Sequence, residues 1–371
     1  MSAPVDRLRI LHITGRADAG GGPAHVYDLV QGLRSFGVES WIACPARGLW
    51  AARFQDLVGP QRILRVPHRV FDPWAIEALL EGHRHGDFSI IHSHGMAAGL
   101  YGRILSARTG VPCVHSFHGV PRTLSVKHLA YRWAIEPSLA PWTRLAVAVS
   151  AGECQDVERR YPWYRGRMAV VPNAIQLPDL PPTPRPRTRV LHVVTFTRSN
   201  TQKNPRLLVE VARVLREAGQ DVRIDAYGEG MDAVPWRDEA RALGVICHPP
   251  TRDPVGALRA ADCYLSTSRW EGMPLSLIEA FAYGALVVAS RVVGNADVVE
   301  DGRTGLLYPE GDAQAAAACL LRLTRDQDLR DVLRAQAWHQ AQTHHARDVM
   351  AQRMMECYLR ALGRVKPERT S

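Results

Sequence analysis

Hydrophobic residues along this chain fall into short continuous runs, separated by longer stretches that have the spacing of an amphipathic helix. A short apolar run that ends in glycine or polar residues is typical of a strand buried on both faces of a parallel sheet. In the first half of the chain the pattern predicts strands over Arg7–Thr14, Val38–Ala43, Ser89–His92, Val111–Ser116 and Leu145–Val149, and helices over Ala24–Leu33, Asp72–His83 and Met96–Ala107. This alternation of strand and helix predicts a doubly wound parallel sheet.

A proline-rich stretch at residues 173–187 interrupts the alternation. Six prolines fall between Pro172 and Pro186, and such a segment forms neither a helix nor a central strand. We interpret it as a stiff linker between an N-terminal domain, residues 1–172, and a C-terminal domain, residues 188–345. After the linker the pattern predicts strands over Val190–Thr195, Val222–Tyr227, Val245–His248, Asp262–Ser266 and Leu286–Ala289, and helices over Pro205–Ala218, Asp232–Leu243, Ala313–Leu323 and Asp326–Leu362. The last segment, residues 346–371, is long enough to pack back on the first domain.

Composition indicates a soluble globular protein with two cores, since 46% of the 371 residues are hydrophobic and 22% are charged. No apolar run reaches about eighteen residues, and the first residues, MSAPVDRLRI, lack the hydrophobic region of a signal peptide, so we expect neither a membrane-spanning helix nor export. The seven cysteines are dispersed and odd in number, which predicts reduced thiols in the cytosol. The net charge of +9 predicts an anionic partner, and nucleic acid, anionic lipid and phosphorylated small molecules all fit it.

The most informative segment is residues 270–284, WEGMPLSLIEAFAYG, which lies between two predicted strands. Its loop therefore lies at the carboxyl end of a parallel strand, where ligands bind in open α/β sheets. Pro274 suits the first position of a helix and the preceding Met273 cannot cap it, so the N–H groups of the first turn are predicted to bind an anion. The residues expected at this binding site are Gly272, Met273, Pro274, Leu275 and Ser276.

Two glutamates accompany this predicted helix start. Glu271 lies in the loop and Glu279 lies further along the helix. Each carboxylate can accept hydrogen bonds from a pair of sugar hydroxyls. Two glutamates by themselves are more often solvated surface acids, and it is their context that favours a binding site.

That context resembles a known family. The stretch Glu271–Gly311, EGMPLSLIEAFAYGALVVASRVVGNADVVEDGRTGLLYPEG, resembles the retaining glycosyltransferases of family 4, whose E-x7-E pattern stands here as Glu271 and Glu279. The resemblance covers most of the chain and is strongest from about residue 190 to 312. It implies the GT-B fold, in which two Rossmann-like α/β domains face each other across a cleft. It also implies transfer from a nucleotide-diphosphate sugar, most often UDP-linked, with no metal ion and no further cofactor.

Carried onto this chain, the resemblance assigns a basic pair to the donor diphosphate. Arg198 and Lys203 follow the first strand of the second domain and would neutralise the charge that builds on the departing diphosphate. The family usually has a glycine before this arginine, whereas here Phe196 and Thr197 precede it. We therefore expect Arg198 and Lys203 to act in catalysis as well as in donor binding.

The resemblance also assigns the remaining donor contacts. Glu279 would hold the ribose, and Glu271 would hold the transferred sugar. Gly228 stands in a Gly-x-Gly turn that would lie beside the nucleotide, although an ordinary turn explains it equally well. Thr251 and Arg252 follow another strand and would form part of the wall around the base.

In the first domain, Gly21 and Gly22 match the glycine loop that follows the family's first strand. Such a loop permits close approach of a donor phosphate or an acceptor, and an ordinary turn is the alternative interpretation. His118, in the sequence Phe117-His118-Gly119, follows the predicted strand Val111–Ser116. The resemblance places this histidine against the transferred sugar, near its anomeric carbon, and so in a catalytic role.

Two short patterns invite a metal interpretation. His92-Ser93-His94-Gly95 places two histidines close together, but no further ligand spacing accompanies them, and the resemblance makes this a strand-end loop near the acceptor. Asp326-Gln327-Asp328 is a D-x-D triplet, but it lies in a charged helical stretch and is interpreted as a solvated helix face. The sequence thus predicts no metal site.

A basic, aromatic insertion at residues 122–142, RTLSVKHLAYRWAIEPSLAPW, has two interpretations of equal weight. It is either an ordinary packed helix or a helix that touches an anionic membrane surface. The stretch resembles the corresponding part of bacterial exopolysaccharide and O-antigen glycosyltransferases, which act on lipid-linked acceptors at the cytoplasmic face. The resemblance therefore implies a cytoplasmic protein, with the inner face of the cytoplasmic membrane as its site of action.

The function predicted from the sequence is retaining, metal-independent transfer of a hexose or N-acetylhexosamine from a UDP-sugar to a glycan or lipid-linked acceptor in polysaccharide biosynthesis. One alternative is another GT-B enzyme, such as a sugar-nucleotide epimerase or a phosphorylase. A second alternative is a non-catalytic α/β protein that binds nucleotides or nucleic acid. No helix-turn-helix, RNP or zinc pattern supports nucleic acid as a partner. The sequence does not specify which sugar or acceptor is used.

Overall fold

The structure, a computed structural model, describes residues 8–119, 129–183 and 189–365. It divides into two compact units, one made of the described parts of Met1–Ala174 and Arg347–Ser371, the other of Ile175–Ala346. The start of the predicted 122–142 insertion and residues 184–187 of the predicted linker lie outside the described residues. The chain leaves the first unit after Ala174 and returns to it at Arg347.

The first unit is built on a parallel sheet of seven strands, in the order β3-β2-β1-β4-β5-β6-β7. Its strands are β1 (Arg9–Thr14), β2 (Glu39–Cys44), β3 (Ile63–Arg65), β4 (Ile90–His94), β5 (Cys113–Ser116), β6 (Leu145–Ala148) and β7 (Met168–Val170). Its helices up to residue 174 are α1 (Gly21–Leu33), α2 (Leu49–Val58), α3 (Trp74–Gly86), α4 (Met96–Thr109), α5 (Glu136–Leu139) and α6 (Ala151–Arg160). A π-helical segment, Tyr131–Ile135, precedes α5. The central strands are buried on both faces because helices cover both sides of the sheet.

The second unit is built on a parallel sheet of six strands, in the order β10-β9-β8-β11-β12-β13. Its strands are β8 (Leu191–Phe196), β9 (Val222–Tyr227), β10 (Val245–His248), β11 (Cys263–Ser266), β12 (Leu286–Ser290) and β13 (Leu306–Tyr308). Its helices are α7 (Leu207–Glu217), α8 (Arg237–Ala242), α9 (Pro254–Ala260), α10 (Leu275–Tyr283), α11 (Asn295–Val298), α12 (Ala313–Arg325) and α13 (Gln327–His344). The two strand orders confirm the predicted doubly wound α/β architecture.

A last helix, α14 (Arg347–Ala361), belongs to the first unit. Its buried residues Met350, Met354 and Tyr358 join the core formed by β1, β4 and α1. The helix lies very close to α1, since a Cβ added to Gly32 would be 2.8 Å from the Cβ of Ala351. Close packing of two helices at small residues therefore holds the end of the chain to the first unit.

Some element boundaries differ from those predicted. The helix predicted over Asp326–Leu362 is in fact two helices, which break at His345 and Ala346. The helix predicted over Asp232–Leu243 is shorter and spans Arg237–Ala242. The three-residue strands β3, β7 and β13 were not predicted at all, because so short a run carries no readable period.

No helix in the described parts of the chain is both long enough and apolar enough to cross a membrane. All seven cysteines are free thiols, and five of them are buried.

Candidate active site

The order of the strands reverses once in each sheet, between β1 and β4 in the first unit and between β8 and β11 in the second. At such a point the connections leave the sheet in opposite directions, which opens a crevice at the carboxyl ends of the strands. Most of the residues singled out in the sequence lie in the loops that follow these four strands and β5, or in the first turns of the helices that come next. Each unit therefore has a candidate site at the position where doubly wound sheets bind ligands.

In the second unit, the ion pair between Lys203 and Glu271 is the centre of the candidate site. Lys203 lies in the loop after β8 and Glu271 in the loop after β11, and Lys203 Nζ is 2.5 Å from Glu271 Oε1. Ser268 donates a second hydrogen bond to the same carboxylate oxygen, at 2.6 Å. The side chains of Lys203 and Glu271 are only 16% and 10% exposed, so the pair is largely shielded from water.

Backbone contacts fix these two loops to each other. Arg269 donates its N–H to the carbonyl of Gln202 at 2.7 Å, and the Gln202 side chain donates to the carbonyl of Trp270 at 3.0 Å. The Thr267 hydroxyl donates to the carbonyl of Lys203 at 2.8 Å. The ion pair is thus held by loops that are themselves tied together.

The helix start after Glu271 differs slightly from the prediction. Pro274 is the N-cap residue, with extended backbone, and α10 begins at Leu275. The expectation that Pro274 is the first helical residue is therefore wrong by one position. No side chain caps the helix, and anion binding by its first turn stays a prediction.

Ser276 and Glu279 both lie on α10. Tyr264 donates a hydrogen bond to the Ser276 hydroxyl at 2.9 Å, and burial raises the pKa of Tyr264 to about 12, which keeps it a donor at neutral pH. Glu279 is partly exposed in the middle of the helix. Met273 is buried and Gly272 is partly exposed, so the predicted binding segment contains both packing and accessible residues.

Gly228 has a steric reason to be glycine. A Cβ at this position would lie 1.6 Å from the carbonyl oxygen of Thr197. The two loops also share a hydrogen bond from the Thr197 N–H to the carbonyl of Tyr227, at 2.8 Å. Arg198 follows directly and is partly exposed, so the turn at Gly228 supports the loop that carries this arginine.

Thr251 and Arg252 lie further away along the sheet edge. They follow β10, which is separated from β8 by β9. Arg252 is exposed, and the Thr251 hydroxyl accepts a hydrogen bond from the Asp253 N–H at 3.0 Å. On the neighbouring strand ends, Tyr227 and His248 stack with ring centroids 4.5 Å apart.

In the first unit, the glycines predicted to form a loop are helical. Helix α1 begins at Gly21, with Gly20 as its N-cap residue, so Gly21 and Gly22 lie in the first turn. A Cβ at Gly22 would have nothing within 4 Å. This turn therefore leaves room for a ligand to approach closely, although it is the start of a helix without a side-chain cap rather than the expected loop.

His118 follows β5, as predicted, and has an unusual backbone conformation. Its φ of 56° lies in the left-handed region, which costs energy for a residue with a side chain. The next residue, Gly119, donates its N–H to the carboxylate of the buried Glu153. Glu153 also accepts from the Val149 N–H at 2.7 Å, so a buried carboxylate holds the turn in place.

The structure places four more histidines beside His118, and we call this group of five the histidine cluster. Its members are His12, His25, His92, His94 and His118. His94 Nδ1 is 3.2 Å from His118 Nε2, and His94 Nε2 is 3.4 Å from His12 Nδ1. The rings of His25 and His118 meet edge to face, with centroids 4.5 Å apart.

The rings of the histidine cluster are held neutral. Burial lowers the pKa of His12 to about 3 and that of His118 to about 4. Burial, followed by mutual repulsion, lowers the pKa of His25, His92 and His94 well below the usual value. At neutral pH these imidazoles therefore offer lone pairs and single N–H groups rather than positive charge.

The structure places further histidines beside His92 and His94 that no spacing in the sequence indicated. The missing partners come from separate segments, because β1 lies beside β4 with His12 in register with His92. Alternation along β4 points His92 and His94 to the same side of the strand. The sequence does show a histidine in each of two apolar runs, His12 and His92. Only the order of the strands in the sheet reveals that these two histidines are neighbours.

The D-x-D triplet has a structural role instead. Asp326 caps α13 by accepting a hydrogen bond from the Leu329 N–H at 2.9 Å, and Asp328 lies in the first turn of that helix. Within the described residues, the groups of side chains close enough to share a metal ion are both within the histidine cluster.

Comparisons with known proteins agree with this architecture. Residues 19–178 match the family described as Glycosyltransferase Family 4, and residues 187–326 match the one described as Glycosyl transferases group 1. The D-inositol 3-phosphate glycosyltransferase of Arthrobacter sp. (strain FB24) is 30% identical over 369 residues, covering 88% of this chain and 87% of that protein. The UDP-Gal:alpha-D-GlcNAc-diphosphoundecaprenol alpha-1,3-galactosyltransferase of Escherichia coli is 26% identical over 264 residues, covering 65% of this chain and 68% of that protein.

A solved structure gives the same fold. The crystal structure of Anabaena HepE in complex with UDP and glucose superimposes with a TM-score of 0.79 at 18% identity, covering 95% of this chain and 99% of that one. Two parallel-sheet, Rossmann-like units with this likeness have the GT-B fold. The chain belongs to glycosyltransferase family 4.

Proposed function

We propose that this enzyme transfers a sugar from a UDP-sugar to a glycan or lipid-linked acceptor, with retention of anomeric configuration and without a metal ion. The observation that carries the proposal is the shielded pair of Lys203 and Glu271 beside the uncapped start of α10. This arrangement sets a cation, helix N–H groups and a carboxylate side by side. A sugar diphosphate needs that combination, because its phosphates require positive charge and its hydroxyls require an acceptor.

Each residue has a proposed role in donor binding. Arg198, Lys203 and the first turn of α10 neutralise the diphosphate, which takes the place of a metal ion. Glu279 accepts hydrogen bonds from the ribose, and Glu271 accepts them from the transferred sugar. Gly228, together with Thr251 and Arg252 on the neighbouring strand ends, borders the nucleotide.

The first unit is proposed to hold the acceptor, with Gly21 and Gly22 permitting close approach and His118 supporting the charge at the anomeric carbon. In the proposed step the bond between the anomeric carbon and the leaving phosphate oxygen breaks, while the acceptor oxygen bonds to the same face of that carbon. The acceptor's proton passes to the leaving phosphate. This course needs no carboxylate nucleophile.

The test is donor binding and turnover in the presence of EDTA. UDP is expected to raise the melting temperature of the enzyme, and Arg198→Ala and Glu279→Ala are expected to abolish that rise. Arg213→Ala is the matched control, because Arg213 is an exposed cation of the same unit that pairs with Glu239. A screen of UDP-glucose, UDP-galactose, UDP-GlcNAc, UDP-GalNAc and GDP-mannose for hydrolysis then identifies the donor. Nucleic acid binding without any response to UDP, or a strict metal requirement, would contradict the proposal.

We also propose that the enzyme acts at the cytoplasmic face of a membrane in polysaccharide biosynthesis. This proposal is supported by the described part of the aromatic insertion, where Trp133 is 64% and Trp142 is 46% exposed. Arg132 lies over the Trp133 ring, 4.8 Å from its centroid, so charge and aromatic surface are presented together. Aromatic rings beside cations are suited to an anionic lipid interface.

Cosedimentation with phosphatidylglycerol vesicles tests this membrane contact. The Trp133→Ser/Trp142→Ser double variant is expected to lose most of its vesicle binding. Trp74→Ser is the control, since Trp74 is 82% exposed on another helix of the same unit. Equal binding by all three proteins, or binding of the wild type to neutral vesicles alone, would refute the membrane contact.

A further inference from the structure

Three members of the histidine cluster present ring nitrogens to one point. One nitrogen from each of His25, His94 and His118 lies within 4.8 Å of the others. His25 and His94 are almost completely buried, at 1% and 6% exposure, while His118 is partly exposed. The three residues come from α1, β4 and the loop after β5, so rigid elements hold two of them and the third faces solvent.

Neither ring nitrogen of His25 has a hydrogen-bonding partner among the described residues. Asn173 is near enough to raise the pKa of His25 and so to offset part of the larger, opposite effect of burial. A buried imidazole with both nitrogens unsatisfied is costly, and such groups require a reason. A bound ligand that accepts the lone pair of a His25 nitrogen would explain why this ring has no hydrogen-bonding partner.

We propose that His25, His94 and His118 form a binding site for a borderline transition-metal ion, with Zn²⁺ as the best fit. Three imidazoles with an open fourth position are a common zinc ligand set, whereas Mg²⁺ and Ca²⁺ prefer oxygen ligands. Tetrahedral zinc–nitrogen bonds of about 2.05 Å place ligand nitrogens about 3.3 Å apart. His94 Nδ1 and His118 Nε2 are already 3.2 Å apart, and a nitrogen of His25 completes a group whose members lie within 4.8 Å of one another.

The surroundings of His94 also suit metal binding. A metal-bound histidine usually donates its second ring N–H to a neighbour, which fixes the ring. His94 Nε2 is 3.4 Å from His12 Nδ1, which can accept that proton. On binding, His94 and His118 carry their single ring protons on the nitrogens that face away from the ion, and no proton has to leave the site.

The other close group, His12, His92 and His94, is a poorer ligand set. Both nitrogens of His92 are already used, at 2.7 Å from the Tyr358 hydroxyl and 2.9 Å from the Ser116 hydroxyl. Binding there would break two buried hydrogen bonds. The proposed site is therefore the one that contains His118.

Occupancy of this site withdraws His118 from its place beside the transferred sugar, so Zn²⁺ is expected to inhibit the enzyme. This consequence rests on the proposed function, whereas metal binding itself does not. Catalysis in EDTA and inhibition by zinc are compatible, because the ion is a blocking ligand and takes no part in the reaction.

Titration of the full chain with Zn²⁺ by calorimetry, after treatment with EDTA and its removal, tests the site directly. About one ion per chain is expected, and His25→Asn and His118→Asn should each weaken binding at least about tenfold. His85→Asn is the matched control, since His85 is an exposed histidine of the same unit outside the cluster, and it should bind as the wild type does. Circular dichroism confirms that each variant is folded, and His118, being partly exposed, is the substitution the fold tolerates best.

Co²⁺ gives a second measurement that excludes the free thiols as ligands. The expected visible spectrum is that of tetrahedral cobalt without a thiolate charge-transfer band. A thiolate band, unchanged affinity in both cluster variants, or no binding by the wild type would each overturn the proposal. The inhibition is tested separately: adding Zn²⁺ should abolish transfer activity, and EDTA should restore it. An enzyme without activity in EDTA would contradict the proposed function but would leave the result on zinc binding unchanged.

Discussion

Lys203 and Glu271 show how a single contact can define a site. Their charged atoms are 2.5 Å apart, and both side chains are nearly buried. In such surroundings the attraction between the charges is strong, but each charge also depends on the other to offset its lost hydration. A diphosphate that attracts Lys203 would release Glu271 to accept sugar hydroxyls, so one pair can serve both parts of the donor.

We predict that Lys203→Met destabilises the protein by about 2 kcal/mol, because among the described side chains it leaves the Glu271 charge with only Ser268 as a hydrogen-bonding partner. Adding Glu271→Gln to this variant should restore most of the stability but no activity. Urea unfolding measures both effects. Arg303→Met provides the comparison, because its pair with Glu300 is exposed and should contribute less than about 1 kcal/mol. Equal losses of stability in the two variants would mean that the burial of Lys203 and Glu271 does not contribute to the free energy of unfolding.

At the scale of elements, three parallel strands assemble the histidine cluster. Adjacent β1 and β4 place His12 beside His92, and β5 carries the loop with His118. Parallel sheets are buried on both faces, so side chains near the strand ends lose their hydration together. The result is a group of neutral imidazoles in one small volume, which the unfolded chain would protonate near pH 6.5.

This difference in protonation predicts acid sensitivity. The folded pKa of each cluster histidine is lowered, so the unfolded state binds more protons as the pH falls. Above a pH of about 6.5 the neutral histidines leave the free energy of unfolding at its full value. Below that pH, the free energy of unfolding falls by about 1.4 kcal/mol per pH unit for each histidine. Urea unfolding at a series of pH values from 7.5 to 5 should show this slope. His12→Asn should lower this slope by the amount that corresponds to about one proton taken up on unfolding. His85→Asn, at an exposed site, should leave the slope unchanged.

At the scale of the whole molecule, the chain passes between its two units twice. The connections at Ala174–Ile175 and Ala346–Arg347 run side by side, because the Ile175 N–H bonds to the carbonyl of His345 at 3.0 Å. The last helix, α14, returns to the first unit, where Arg347 pairs with Asp28 at 2.6 Å. The fold of the first unit is therefore completed only by a helix that follows the whole of the second unit in the sequence.

Truncation after Ala346 is predicted to unfold the first unit. It removes Met350, Met354 and Tyr358 from the core, at a cost of at least about 5 kcal/mol, which is comparable with the whole stability of a typical domain. It also leaves His92 without its hydrogen bond from Tyr358. Expression and thermal unfolding of the truncated chain check this. Gln352→Ala, at an exposed position of the same helix, leaves these contacts in place and should have little effect, and a stable protein truncated at Ala346 would show that α14 is dispensable.

Features that depend on local spacing could be predicted from the amino-acid sequence alone. Alternating runs gave two doubly wound sheets, and the E-x7-E motif and its glycine and proline located the start of α10 to within one residue. Contacts between distant segments were decided only by the tertiary structure. Strand order brings His12, His92 and His94 to His118, and two loops bring Lys203 to Glu271, 68 residues apart. Residues near in sequence share a backbone period that a pattern reveals, whereas residues far apart meet only when the pairing of strands and the path of loops have been fixed by packing.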